Sequence, residues 1–147
     1  MRRPPKRFEE CTHEQQIARV RAALDCISSL TKEEIKHRFR MESWISRDPQ
    51  CGTVMCAAGF CGQDPKIRKQ GFKMDLTRNG SLIMKTHPMA FFGMDMYENV
   101  FVASELVNMY SGRPLEVHKA VIKATKRVLS RLEKSAKLRK SAKKADA

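Results

Sequence analysis

Near the end of the chain Leu115, His118, Ile122, Thr125, Leu129 and Leu132 recur at alternating steps of three and four, with Val121 and Val128 beside them. That spacing belongs to an amphipathic helix and is incompatible with a strand, whose side chains alternate every two residues. Arg113-Pro114 supplies the start, since proline suits the first helical position. The opposite face is nearly all Lys and Arg. A long helix with one apolar stripe must lie on a core, so the rest of the chain is expected to build that core.

The chain has 147 residues, 41% of them hydrophobic, enough for one modest core. Its formal net charge is +13, from 29 basic and 16 acidic residues. The excess is confined to the ends. Residues 1–7 hold Arg2, Arg3, Lys6 and Arg7 with no acid, and residues 119–147 hold eleven basic residues against Glu133 and Asp146, while 8–118 is balanced. The expected organisation is a basic N-terminal arm (1–11), one globular α+β domain ending in the long helix (12–133), and a basic tail (134–147) that frays as the apolar periodicity fades after Glu133.

The charged N-terminus is followed by no apolar segment resembling a signal peptide, and the charge-free stretch 51–63 is far short of the roughly 20 residues of a membrane span. Five cysteines, an odd set in a chain able to build a core without staples, fit a reducing compartment. A cytoplasmic location and no membrane are expected.

Two capping boxes, Thr12-x-x-Gln15 and Thr31-x-x-Glu34, open helices. The first carries Ile17, Val20, Leu24 and Ile27 on one face over 13–29; the second is short, with Ile35 and Phe39 one turn apart and Met41, Trp44 and Ile45 continuing into a less regular stretch that ends at Arg47-Asp48-Pro49. Thr53 is a candidate N-cap for a short buried helix over 53–61, in which Ala57, Ala58 and Gly59 would admit a close neighbour and Gly62 and Asp64-Pro65 close the element.

Around Asn79-Gly80 the alternation predicts a hairpin. A two-residue loop would oppose Met74 to Lys85, whereas the three-residue loop Arg78-Asn79-Gly80 pairs Leu76 with Leu82 and Met74 with Met84, with Gly80 in the left-handed conformation. One helical turn over 88–92 ends at Gly93, and Asp95-x-x-Glu98 caps a helix carrying Val100, Phe101, Leu106 and Val107 that stops near Ser111-Gly112. The predicted fold is α+β and mostly helical, with four or five helices packed on one small β-hairpin, since two strands alone do not make a stable sheet.

Candidate chemistry is sparse. Cys51, Cys56 and Cys61 are spaced five apart, with Cys26 and the histidines His13, His37, His87 and His118 as candidate fourth ligands for zinc, but zinc sites space their ligand pairs two to four apart. On a helix Cys56 and Cys61 diverge by about 140°. Buried apolar thiols account for them better, so neither metal nor cofactor is expected. Cys51 before a helix start is a candidate low-pKa nucleophile without an evident base. Glu9-Glu10 and Glu33-Glu34 suit first turns of helices, His118 and Trp44 the core, and the nine methionines flexible core filling. No enzyme is expected.

The basic helix remains. Lys119, Lys123, Lys126, Arg127, Arg131, Lys134 and Lys137 form a ridge about 27 Å long, extended by Arg139, Lys140, Lys143 and Lys144 and joined by Arg2 and Arg3 of the arm. Duplex DNA offers one phosphate per roughly 1.7 Å. The ridge has no aromatic to stack on bases and favours lysine over arginine, which predicts binding of nucleic acid without sequence reading.

The segments Phe39-x-Met41-x-x-Trp44, Cys51-Gly-Thr-x-x-Cys56-x-x-Gly59 and Ala90-Phe-Phe-Gly-Met resemble a group of small proteins of tailed phages and prophages, over roughly 39–122. The resemblance implies a phage origin and carries over no catalytic residue; Cys61 and the basic tail depart from its pattern. The expected function is a non-enzymatic phage accessory protein binding nucleic acid or a ribonucleoprotein through the C-terminal helix. The alternatives are an inhibitor docking on an acidic surface of a host complex, and a virion or assembly component.

Overall fold

A computed structural model describes residues 4–41, 45–48, 52–102 and 113–145. Trp44, Cys51, Leu106, Val107 and the expected stop at Ser111-Gly112 lie outside them. After a 3-10 turn at Phe8–Glu10 come α1 (His13–Ser28), α2 (Lys32–Arg38), β1 (Ile45–Asp48), β2 (Gly52–Met55), α3 (Ala57–Gln63), α4 (Pro65–Lys69), β3 (Met74–Leu76), β4 (Leu82–Met84), α5 (Pro88–Phe92), α6 (Met94–Met96) running into a π-helical turn (Tyr97–Phe101), and α7 (Pro114–Ala145). The fold is α+β and mostly helical, as the patterning predicts.

Local chemistry sets most boundaries. Both capping boxes are formed: the Thr12 and Thr31 side chains accept from the backbone N–H of Gln15 and Glu34, whose side chains accept from the two threonine N–H groups. The hairpin has the three-residue loop, with Met74 opposite Met84, Leu76 opposite Leu82, and Gly80 at φ +82°. Helix α5 ends at Gly93, whose φ of +91° brings its Cα face against the Phe8 ring.

Three elements differ from expectation. Residues 52–55 pair antiparallel with 45–48, giving a second two-stranded unit, and α3 begins only at Ala57, with Cys56 at its N-cap. Thr53 and Val54 are β-branched and favour the extended backbone over the helix start we expected; a bridge between Phe39 and Met55, with the Arg40 N–H donating to the Met55 carbonyl at 2.9 Å, holds the segment from outside. Asp95 is no cap: α6 starts after Gly93 with no side-chain cap bond. The chain from Lys134, where a fraying tail is expected, continues α7 to Ala145. It holds Lys, Ala, Arg, Leu and Ser and no Gly or Pro, so helix propensity persists after the apolar stripe stops.

The core lies between α7 and α1, which run antiparallel, and extends over α3, α5 and the π turn. Val117, Val121, Thr125 and Val128 of α7 are buried against this layer, while Leu115, Ile122, Leu129 and Leu132 flank it half-buried. The stripe is thus centred on the valines. His118 is a core residue, as expected: its Nε2–H donates to the Ile27 carbonyl at 2.7 Å, and its ring meets Phe39 edge-on. Thr125 satisfies its hydroxyl on the Val121 carbonyl. Phe72, Phe91, Phe92 and Phe101 form an aromatic cluster with neighbouring centroids 4.8–5.4 Å apart. Arg19 covers its edge, with its guanidinium 4.0 Å from the Phe91 centroid, donating to the carbonyls of Lys6 and Phe91.

Gly62 marks the tightest contact of the helical layer with a strand. A Cβ built there would lie 2.6 Å from Met74 Cβ and 2.8 Å from the Met74 nitrogen. Gln63 donates to the Met74 carbonyl beside it. The close approach therefore sits at Gly62, inside α3, where the sequence suggested a helix stop.

Candidate polyanion interface

Because α7 is a single helix of 32 residues, its cations fall into groups fixed by the 3.6-residue turn. Lys119, Lys123, Lys126, Arg127, Lys134, Lys137 and Lys144 share an arc of about 100° pointing away from the buried valines, and all are exposed. They span roughly 38 Å along the axis at 1.5 Å per residue. None of the seven makes an ion pair with another described residue. The two acids of α7 are occupied elsewhere, Glu116 with Arg113 at 3.5 Å and Glu133 with Arg21 at 3.1 Å.

The other four expected helix contacts leave this row. Arg131 points sideways and grips Asp95 with two bonds, Nε to Oδ2 at 2.8 Å and an Nη2 to Oδ1 at 2.7 Å. This bidentate pair holds the Asp95 carboxyl below the usual carboxylate range, against a smaller opposing effect of burial, and Asn99 adds a bond to Oδ1. Arg131 is held charged in return, but its guanidinium is already engaged. Arg139, Lys140 and Lys143 turn the other way, over the start of α1, where they line a groove of about 440 Å³ with Thr12, His13, Glu14, Ile17 and Ala136. Arg2 and Arg3 lie outside the described residues. One uninterrupted ridge in sequence is thus three groups in space, and the signal separating them was helical phase past Leu132.

Cys26, Cys56 and Cys61 are buried and are not joined in disulfides. A hydrogen bond with Cys26, and then burial, push the Cys61 thiol well above the ordinary range, so it stays protonated, a poor nucleophile. Among the described residues no three His, Cys, Asp or Glu side chains converge as a metal site. No helix among them is long and apolar enough to cross a membrane.

Comparison with protein-family models, with curated proteins and with solved structures finds no match.

Proposed function

We propose that this protein is a non-enzymatic accessory protein of phage type, working in the cytoplasm of an infected cell, that binds nucleic acid through the outward row of α7 without reading base sequence. The observation that carries this is the row itself: seven exposed cations, without an ion pair among the described residues, on one face of a single helix. Six of the seven are lysines, point charges on flexible stems suited to phosphates and not to bidentate contacts with base edges. A helix of this width fits the major groove, but a row without Asn, Gln or aromatic side chains has little with which to discriminate bases there.

Removing residues 134–147 tests this. The deletion takes Lys134, Lys137 and Lys144 from the outward row and leaves Lys119, Lys123, Lys126 and Arg127; none of the described residues it removes is buried, so the body stays folded. Each phosphate contact contributes about 0.9 to the slope of log K against log salt on duplex DNA, so the slope is expected to fall by about 2–3. Affinities for different duplex sequences fall together. An unchanged slope, or no binding at low salt, overturns the proposal; a nuclease-resistant host protein retained in a pull-down would then point to docking on an acidic protein surface.

A further inference from the structure

The inward cations are not part of that row, and their surroundings differ from it. Past Leu132 the core-facing side of α7 carries Ala136, Arg139 and Lys143, so the face that packs on α1 turns from apolar to cationic as it overhangs the first turn of α1. Ile17 and Ala136 give the groove an apolar floor, and the alkyl stems of the three basic residues extend it. The cations form no ion pair with a described residue. Glu14 is the single acid on the rim, and it is exposed.

Two further features mark the place. The Nδ1 atom of His13, which also lines the groove, is buried without a hydrogen-bond partner, the one such side-chain nitrogen or oxygen among the described residues. Buried polar atoms are almost always partnered, so this one calls for an explanation. The capping box takes the Gln15 N–H and leaves those of His13 and Glu14, at the positive end of a 16-residue helix, with no partner inside the helix.

We infer that this groove is a nucleotide site, taking one phosphate between Arg139, Lys140, Lys143 and the start of α1, with the attached base on the Ile17–Ala136 floor. The volume is far larger than inorganic phosphate needs and falls within the range of small-molecule pockets, about 300–1,000 Å³. The floor suits a flat ring, on which the Arg139 guanidinium can also stack. Lysines alone would hold any anion; the floor beside them selects one that carries an apolar face. The site is separate from the outward row and stands or falls independently of duplex binding.

The full chain is titrated with AMP, adenosine and inorganic phosphate at low salt, following the His13 ring signals by NMR. AMP is expected to bind about tenfold more tightly than either part alone and to shift His13. Arg139→Gln with Lys143→Gln weakens AMP by at least about tenfold, whereas Lys119→Gln with Lys123→Gln, the same loss of charge on the outward row, leaves it within about twofold. Ala136→Glu, which fills the floor from an exposed helix, abolishes AMP binding with helicity retained. Phosphate binding as tightly as AMP, or equal losses from the two double variants, overturns the proposal. A 5′-phosphorylated trinucleotide binding better than its 5′-hydroxyl twin identifies a strand end as the natural source; equal binding of the two, both weaker than AMP, identifies free nucleotide. Duplex binding lost with AMP binding intact would remove the outward-row function alone.

Discussion

Substituting Gly62→Ala sets two opposite effects against each other. In an exposed helix the change stabilises by about 1 kcal/mol, because alanine loses less backbone entropy. Here the new methyl would stand 2.6 Å from Met74 Cβ, roughly 1 Å inside the ordinary carbon–carbon contact of about 3.5–4.0 Å. A rotamer change could move only the Met74 Cγ, also at 2.8 Å; the Cβ and the backbone nitrogen stay, and the Gln63 bond to the Met74 carbonyl ties the strand to the same helix. Overpacking against fixed atoms falls in the upper part of its usual range, about 2–3 kcal/mol, so against the gain of about 1 kcal/mol the net loss is about 1–2 kcal/mol. For a chain of this size that lowers Tm by roughly 3–8 °C. Thermal and urea unfolding followed by circular dichroism measure it. The second variant is Met74→Ala, which removes the Cγ at 2.8 Å and leaves the Cβ and the nitrogen, so the double variant should lose measurably less than the sum of the two single effects without regaining the parent's stability. A Gly62→Ala protein as stable as the parent or more so, or a double variant showing no coupling, would refute the contact of α3 with β3.

Asp95→Asn removes the ion pair with Arg131; with both side chains more than a third exposed the cost at neutral pH is a few tenths to about 1 kcal/mol. Because the folded-state pKa of Asp95 is lowered, its contribution is present above the unfolded value of about 3.9 and lost as pH falls through the folded one. Parent and variant should therefore converge in urea titrations at strongly acid pH, and a gap that widens there contradicts the pairing. His118→Phe keeps the ring against Phe39 but removes the 2.7 Å bond to the Ile27 carbonyl, which then holds only the longer bond from the Leu30 N–H at 3.4 Å, a loss of about 0.5–1.5 kcal/mol; a neutral result in the same unfolding assay would mean that the Leu30 N–H or water replaces the imidazole in full.

What the sequence reveals about this fold is what neighbouring residues decide between themselves. Thr12 with Gln15 and Thr31 with Glu34 are self-contained devices, and the pairing of Met74 with Met84 follows from alternation and a glycine in the turn. Residues 52–55 escape such reading because a run of small and β-branched residues suits either state, and Phe39, far away in sequence, decides it. Gly62 escapes for the same reason, its meaning residing in Met74. The end of α7 is within reach of the sequence: its helix propensity is continuous past Leu132, and only the apolar stripe stops there. At the site, every cation of α7 could be named from the sequence. Their division could not, because Arg131 depends on Asp95, 36 residues away, and the inward three on where α1 begins.

The overhang of α7 has a thermodynamic consequence. From Lys134 to Ala145 the helix covers no core and places like charges one turn apart, Arg139 with Lys143 and Lys140 with Lys144. Each such pair works against the helix by about 0.2–0.5 kcal/mol. This end is therefore a cooperative unit of its own, able to open without the body and close to balance when nothing neutralises it. An anion that binds the helical form and not the open one draws that local equilibrium toward helix by mass action. Affinity and helix content at the C-terminus are then two measures of one free energy, and ionic strength, which screens the repulsion as well as the ligand, moves both.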